Sequence, residues 1–190
     1  MPNKTVSTDI TPNEMIEKGV ELLNDALAEE LLEVVHGLNR YKLAGLVVDL
    51  LIKMGYCGRI GIPMFQQDYE NRDTYTLTVN DRFRFNEEFY VRIKEIPANQ
   101  SISREDLQEF IESMVSLGGK KAVYFTAYTF SPEASEYANS LKDQKLELVD
   151  GEDLVSLLRE FNLGTSVAKT YEILGVDSDY FVHLDPTEEL

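Results

Sequence analysis

Lys120-Lys121-Ala122-Val123-Tyr124-Phe125-Thr126 is the segment that decides the fold. After its two lysines every residue is apolar, aromatic or β-branched, with no polar residue alternating between them. A strand with one wet face alternates, whereas a strand covered on both faces reads as a continuous apolar run. This segment is therefore expected to be a central strand with helices on both sides. Downstream, Pro132 opens a helix, Leu146-Glu147-Leu148-Val149 reads as a short strand, and Asp150-Gly151 turns into a helix carrying Leu154, Val155, Leu157 and Leu158. Upstream, Ser103 caps a helix from about Arg104 to Leu117 with Leu107, Phe110, Ile111 and Met114 inward, closed by Gly118-Gly119. Strands that alternate with helices pair in parallel through right-handed crossovers.

Earlier in the chain the period changes. Thr74-Tyr75-Thr76-Leu77-Thr78-Val79 and Phe89-Tyr90-Val91-Arg92-Ile93-Lys94 are rich in β-branched and aromatic residues, and Phe83 and Phe85 alternate with charges between them. These read as a meander. Residues 57–72 read as loop, and Pro97 to Ser103 as a connection. Two helices come first. Thr11-Pro12-Asn13-Glu14 carries a capping box with proline at the first helical position. Ile16, Val20, Leu23, Leu27, Leu31 and Val34 then form one stripe, suited either to the chain's own core or to a second copy. His36-Gly37 ends it. Asn39 caps a helix from about Arg40 to Met54. The expected fold class is α/β, a mixed central sheet flanked by helices with an N-terminal helical extension. The expected division is a disordered tail over 1–10, an N-terminal helix over 11–37 and an α/β domain over 38–190.

The chain carries 18 basic and 34 acidic residues, a formal net charge of −16. DNA binding requires phosphates to be neutralised by lysine and arginine, so this balance disfavours general DNA binding. It suits a solvated acidic surface, or one that binds a basic partner. No apolar run is long enough for a membrane span, and the first residues lack the apolar core of a secretory signal. Cys57 is the only cysteine, which excludes a disulfide framework. The cytoplasm is the expected location. His36 and His183 lack metal-ligand spacing, Cys57 has no evident base partner, and most tyrosines are expected to pack in the core or the sheet.

Several segments resemble the Mrr-type restriction-endonuclease family. Leu46-Val47-Val48-Asp49-Leu50-Leu51-Ile52-Lys53-Met54-Gly55-Tyr56 resembles the first helix of its catalytic domain, and Lys120 to Thr126 with Phe130-Ser131 resembles its central strand and turn. Glu136-Tyr137-Ala138, Leu148 to Leu154, Glu160-Phe161-Asn162-Leu163-Gly164 and Asp179-Tyr180-Phe181 resemble its C-terminal run, and Asp25 to Val34 the helix before the domain. The resemblance spans about residues 14–181 and implies a restriction-endonuclease-like fold. It also implies Mg²⁺-dependent DNA cleavage, in which carboxylates hold the metal and a lysine orients the attacking water.

The family pattern places a Glu on the first helix, an Asp on the first hairpin strand, and Gln or Glu followed two residues later by Lys on the second strand. Carried over, the lysine is Lys94 and the residue two before it is Arg92. The helix position is Ala44, and the strand aspartate falls near Tyr75 or Thr76, with Asp73 the nearest acid. Lys94 and Asp73 are thus the candidate catalytic residues and Asp73 the candidate metal ligand, with Glu70 and Glu88 the other recruitable acids. Glu95 stands where the family is usually basic. Arg92 shares a strand face with Lys94 and opposes a divalent cation. The expected function is a catalytically impaired nuclease-fold protein, without a resident cofactor, acting through homodimerisation or a protein partner. Two alternatives stand beside it: an active Mg²⁺-dependent endonuclease with a rearranged site, and an acidic inhibitor of a basic partner.

Overall fold

The computed structural model describes residues 10–56, 64–67, 74–80 and 88–182, with 64–67, 74–80 and 88 described by backbone alone. The first helix, α1, runs Pro12–His36. The Thr11 hydroxyl oxygen accepts from the Glu14 N–H at 3.3 Å, and the Glu14 carboxylate accepts in return from the Thr11 N–H at 2.6 Å. The expected capping box is therefore present. The second helix, α2, runs Arg40–Lys53, with the Asn39 side chain accepting from the Lys42 N–H at 3.1 Å.

A five-stranded sheet follows. Its strands are β1 (Met64–Gln67), β2 (Thr74–Asn80), β3 (Glu88–Lys94), β5 (Lys121–Thr126) and β7 (Lys145–Val149), in spatial order β1-β2-β3-β5-β7. β1, β2 and β3 pair antiparallel, and β3, β5 and β7 pair in parallel. This is the mixed sheet read from the sequence, with Lys121–Thr126 inside it. Two features went unread. β1 lies within a stretch taken as loop, and the two-residue strands β4 (Ser101–Ile102) and β6 (Thr129–Phe130) form a small parallel pair of their own. Four-residue and two-residue strands are too short to show a period. The possible strand at Phe83 and Phe85 lies outside the described residues.

The crossover helices are α3 (Arg104–Ser116) between β3 and β5 and α4 (Pro132–Ser140) between β5 and β7, and α5 (Gly151–Glu160) follows β7. Alternation along β3 sends Val91 and Ile93 to one face of the sheet and Tyr90, Arg92 and Lys94 to the other. On the first face, Val91, Ile93 and Phe125 are buried with Leu31 and Val35 of α1, Leu43, Val47 and Leu50 of α2, and Leu154 and Leu158 of α5. On the second, Tyr90 and Tyr124 are buried with Leu107, Phe110 and Met114 of α3 and Ala134 of α4.

The α1 stripe divides between the two roles left open for it. Leu27 and Leu31 join the first core, whereas Ile16, Val20 and Leu23 are exposed. Val34 is exposed and Val35 takes the buried position, a one-residue shift of the stripe at its C-terminal end. The tyrosines also divide: Tyr90 and Tyr124 are core residues, while Tyr41, Tyr171 and Tyr180 are exposed. A last short helix, α6, covers Ser178–Val182. No described helix is long and apolar enough to cross a membrane.

Candidate active site

Lys94 is the last residue of β3, and its ammonium donates to Asp106 Oδ1 at 2.5 Å. Asp106 is the third residue of α3. Its other oxygen, Oδ2, accepts from the Ser103 backbone N–H and from the Ser103 hydroxyl, each at 3.1 Å. Ser103 Oγ accepts in return from the Asp106 N–H at 3.3 Å. One carboxylate thus completes the capping box of α3 and neutralises the lysine. Burial pushes the Asp106 carboxyl up, but the Lys94 hydrogen bond and the Ser103 N–H outweigh it and hold the group below its usual range.

Arg92 lies two residues earlier on the same strand face and is only 4% exposed. Its guanidinium carbon sits 5.0 Å from the centre of the Phe110 ring, a cation–π contact. Its Nη1 is 4.0 Å from the carboxylate of Glu109, whose side chain is mostly exposed. Its Nε is buried without a hydrogen-bond partner. Tyr124, edge-on to Phe110 at 5.5 Å between ring centres, completes the wall. Burial raises its phenol pKa, with the Asp106 charge adding to the shift and the Arg92 charge opposing it.

The residues aligned with Lys94 and Arg92 across the β2 ladder are Thr74 and Thr76. Neither position carries a carboxylate. Asp73, the candidate metal ligand, lies outside the described residues, as do Glu70, Cys57 and His183; Glu88 is described by backbone alone. Ala44, at the helix position, is buried in the first-face core with Val91 and Ile93, behind the sheet from Arg92 and Lys94. Glu95 has a structural use: its Oε2 accepts from the Arg40 N–H at 2.8 Å, holding the end of β3 to the N-terminus of α2. His36 stacks on Tyr128 with ring centres 4.3 Å apart, and is the last residue of α1.

Sequence reading brought Lys94 and Arg92 to one face but missed Asp106 and Glu109. The signal was present. Ser103-x-x-Asp106 is a capping box, and acids three apart on a helix share a side. What it lacked was the face of the sheet on which α3 lies. With both acids engaged by Lys94 and Arg92, the described residues do not fit a divalent cation. No group of three or more His, Cys, Asp or Glu is placed to hold a metal among the described residues.

With that geometry in hand, the family model of the Mrr-type catalytic domain, described as a restriction endonuclease, matches residues 35–158. The chain belongs to the Mrr-type restriction endonuclease family. It is 27% identical over 172 residues to the type IV methyl-directed restriction enzyme EcoKMrr of Escherichia coli (strain K12), covering 90% of this chain and 54% of that protein. The chain therefore spans about half the length of this relative. Among solved structures, the DNA modification-dependent restriction endonuclease AspBHI superposes with a TM-score of 0.53 at 15% identity, over 72% of this chain and 36% of that one. The MspJI restriction endonuclease, solved with a 27-mer oligonucleotide, gives a TM-score of 0.43 at 17% identity, over 70% and 30% of the two chains. The AspBHI superposition supports the restriction-endonuclease-like fold.

Proposed function

We propose that this chain is a member of the family whose catalytic positions now make structural contacts, and that it acts through self-association or a protein partner rather than by cutting DNA. The observation that carries this reading is Arg92. Where the family has a metal-ligating Gln or Glu, a buried guanidinium packs on Phe110 beside Glu109. A fixed positive charge there repels a divalent cation, and one desolvated in a protein interior is screened less than one in water. Lys94 is retained, but it is paired with Asp106. The net charge of −16 further favours protein contacts over the phosphate backbone.

Calorimetric titration of the full chain with Mg²⁺ and with Mn²⁺ tests this. No saturable binding is expected. Stoichiometric binding that disappears in Asp73→Ala would instead support a rearranged metal site with Asp73 as its ligand.

A further inference from the structure

α5 ends in a turn that brings the chain back beside α1. Asn162 takes a left-handed conformation at φ 49°, the Leu163 N–H donates to the Leu158 carbonyl at 2.8 Å, and Gly164 follows at φ 72°. Glycine enters that region without a Cβ penalty. Residues 165–177 then run without helix or strand before α6. The start of this arm already lies against α1: Thr165, Ser166 and Val167 line a groove with Asn24 and Leu27 of α1 and Arg159 of α5. Through Asn24 and Arg159 that groove continues into a second, lined by Ile16 and Val20 and edged by Glu17, Glu21 and Asp25.

Apolar surface stands in water on both sides of this second groove. Ile16 is 49% and Val20 51% exposed, and along the arm Tyr171 is 69% and Ile173 74% exposed. Closing the two together removes both from water. The lengths agree. Val167 to Tyr171 reaches about 13 Å when extended, and Asn24 to Ile16 covers about 12 Å of helix. The alternation agrees as well. In an extended chain Val167, Lys169, Tyr171 and Ile173 share one side, and Thr170, Glu172 and Leu174 share the other. Lys169 and Tyr171 are already together, the ammonium lying 4.7 Å from the ring centre.

We propose that residues 167–173 are a strap that closes over the free half of α1 in the same chain. Tyr171 and Ile173 settle on Ile16 and Val20, and Glu172 is turned to water. Lys169, the only basic residue between 164 and 182, comes level with Glu17 and Glu21 at the acidic edge of the groove. Charge and tether select this occupant. The α1 helix of a second copy brings Glu17, Glu21 and Asp25 against their like. The arm of a second copy competes with one held within a few residues of the groove, and so short a tether gives an effective concentration on the order of millimolar. The strap is independent of the self-association reading and holds for a monomer and a dimer alike. Closed, it withdraws the apolar half of α1 from other partners; open, it leaves that half as a docking surface.

Hydrogen exchange of the full chain tests the strap at the amides of residues 15–24, with those of β3 and β5 as the internal control. Tyr171→Ser combined with Ile173→Ser is expected to speed exchange in that half of α1 by about tenfold or more and to leave the sheet unchanged; both residues are exposed in the open form, so the core is not disturbed. Lys169→Glu is expected to speed it as well, and adding Glu17→Lys with Glu21→Lys to restore slow exchange, a rescue that only a charge contact gives. Wild-type exchange rates in both arm variants overturn the strap. A crosslink decides which chain supplies it. In a Cys57→Ser background, one chain carrying Ile16→Cys and Tyr171→Cys is mixed with isotope-labelled copies and oxidised. Disulfide-linked peptides of a single isotope are expected by mass spectrometry. Peptides joining labelled to unlabelled copies, or no link at all in a folded chain, overturn closure within one chain.

Discussion

The two faces of the central sheet share their strands but not their chemistry. The first face, under α1, α2 and α5, buries only apolar residues, with Leu43, Val47, Leu50 and Val91 fully enclosed. The second, under α3 and α4, buries Phe110, Tyr124 and Leu107 as tightly, yet it also encloses Arg92 and half-buries the Lys94–Asp106 pair. β3 serves both through its alternation. The first face fixes the architecture by apolar packing alone. The second is the face on which the family places its catalytic lysine, and there each cation has been given a partner on α3. The charged contacts of the second face therefore stand apart from the apolar packing of the first.

Substitutions can break this contrast, the largest effect first. Phe110→Ala removes a buried ring from the Tyr124 edge contact and from the Arg92 cation, and should cost about 3–5 kcal/mol in urea unfolding. Leu50→Ala on the first face should cost a comparable ~2–5 kcal/mol, but without any dependence on charge. A Phe110→Ala cost well below 1 kcal/mol would mean that the second face is not a packed core.

Lys94→Ala leaves Asp106 with only its cap bonds and should cost roughly 1–2 kcal/mol at neutral pH. The pH dependence follows from the lowered carboxyl. A carboxylate with a depressed folded-state pKa contributes stability that is fully present above its unfolded value and is lost as the pH falls through the folded one. The difference between wild type and Lys94→Ala should therefore be largest near neutrality and shrink below about pH 4. A pH-independent difference would remove the ion pair from the explanation.

Arg92→Met gives the smallest change and the most telling sign. It removes a desolvated guanidinium with an unsatisfied Nε and keeps an unbranched apolar stem, while Glu109 remains in water. Stability should be unchanged or rise by about 1 kcal/mol. A loss of several kcal/mol would show that the arginine is a required anchor rather than a tolerated one.

Most of the architecture was legible because it is written in local patterns. The continuous run Ala122 to Thr126, the caps at Thr11, Asn39 and Ser103, and the apolar faces of α2 and α3 all appear where their residues place them. The two-residue strands β4 and β6 were illegible because their pairing is set by tertiary contact. The site was half legible. Lys94 and Arg92 share a strand, so their common face follows from a period of two. Asp106 and Glu109 come from a different element, and their arrival beside those cations depends on the side of the sheet over which the crossover runs. The free half of α1 was illegible for the same reason, since an apolar stripe does not say how much of it the neighbouring helix will reach.

The most direct measurement is cleavage of modified and unmodified duplex DNA by wild type and Lys94→Ala, in Mg²⁺ and in Mn²⁺, with stability followed on the same samples. The expected result is no metal-dependent cleavage by either protein, together with a lower stability for Lys94→Ala. Cleavage by wild type that vanishes in Lys94→Ala at unchanged stability would show that the lysine is catalytic, and would contradict its assignment as a structural partner of Asp106.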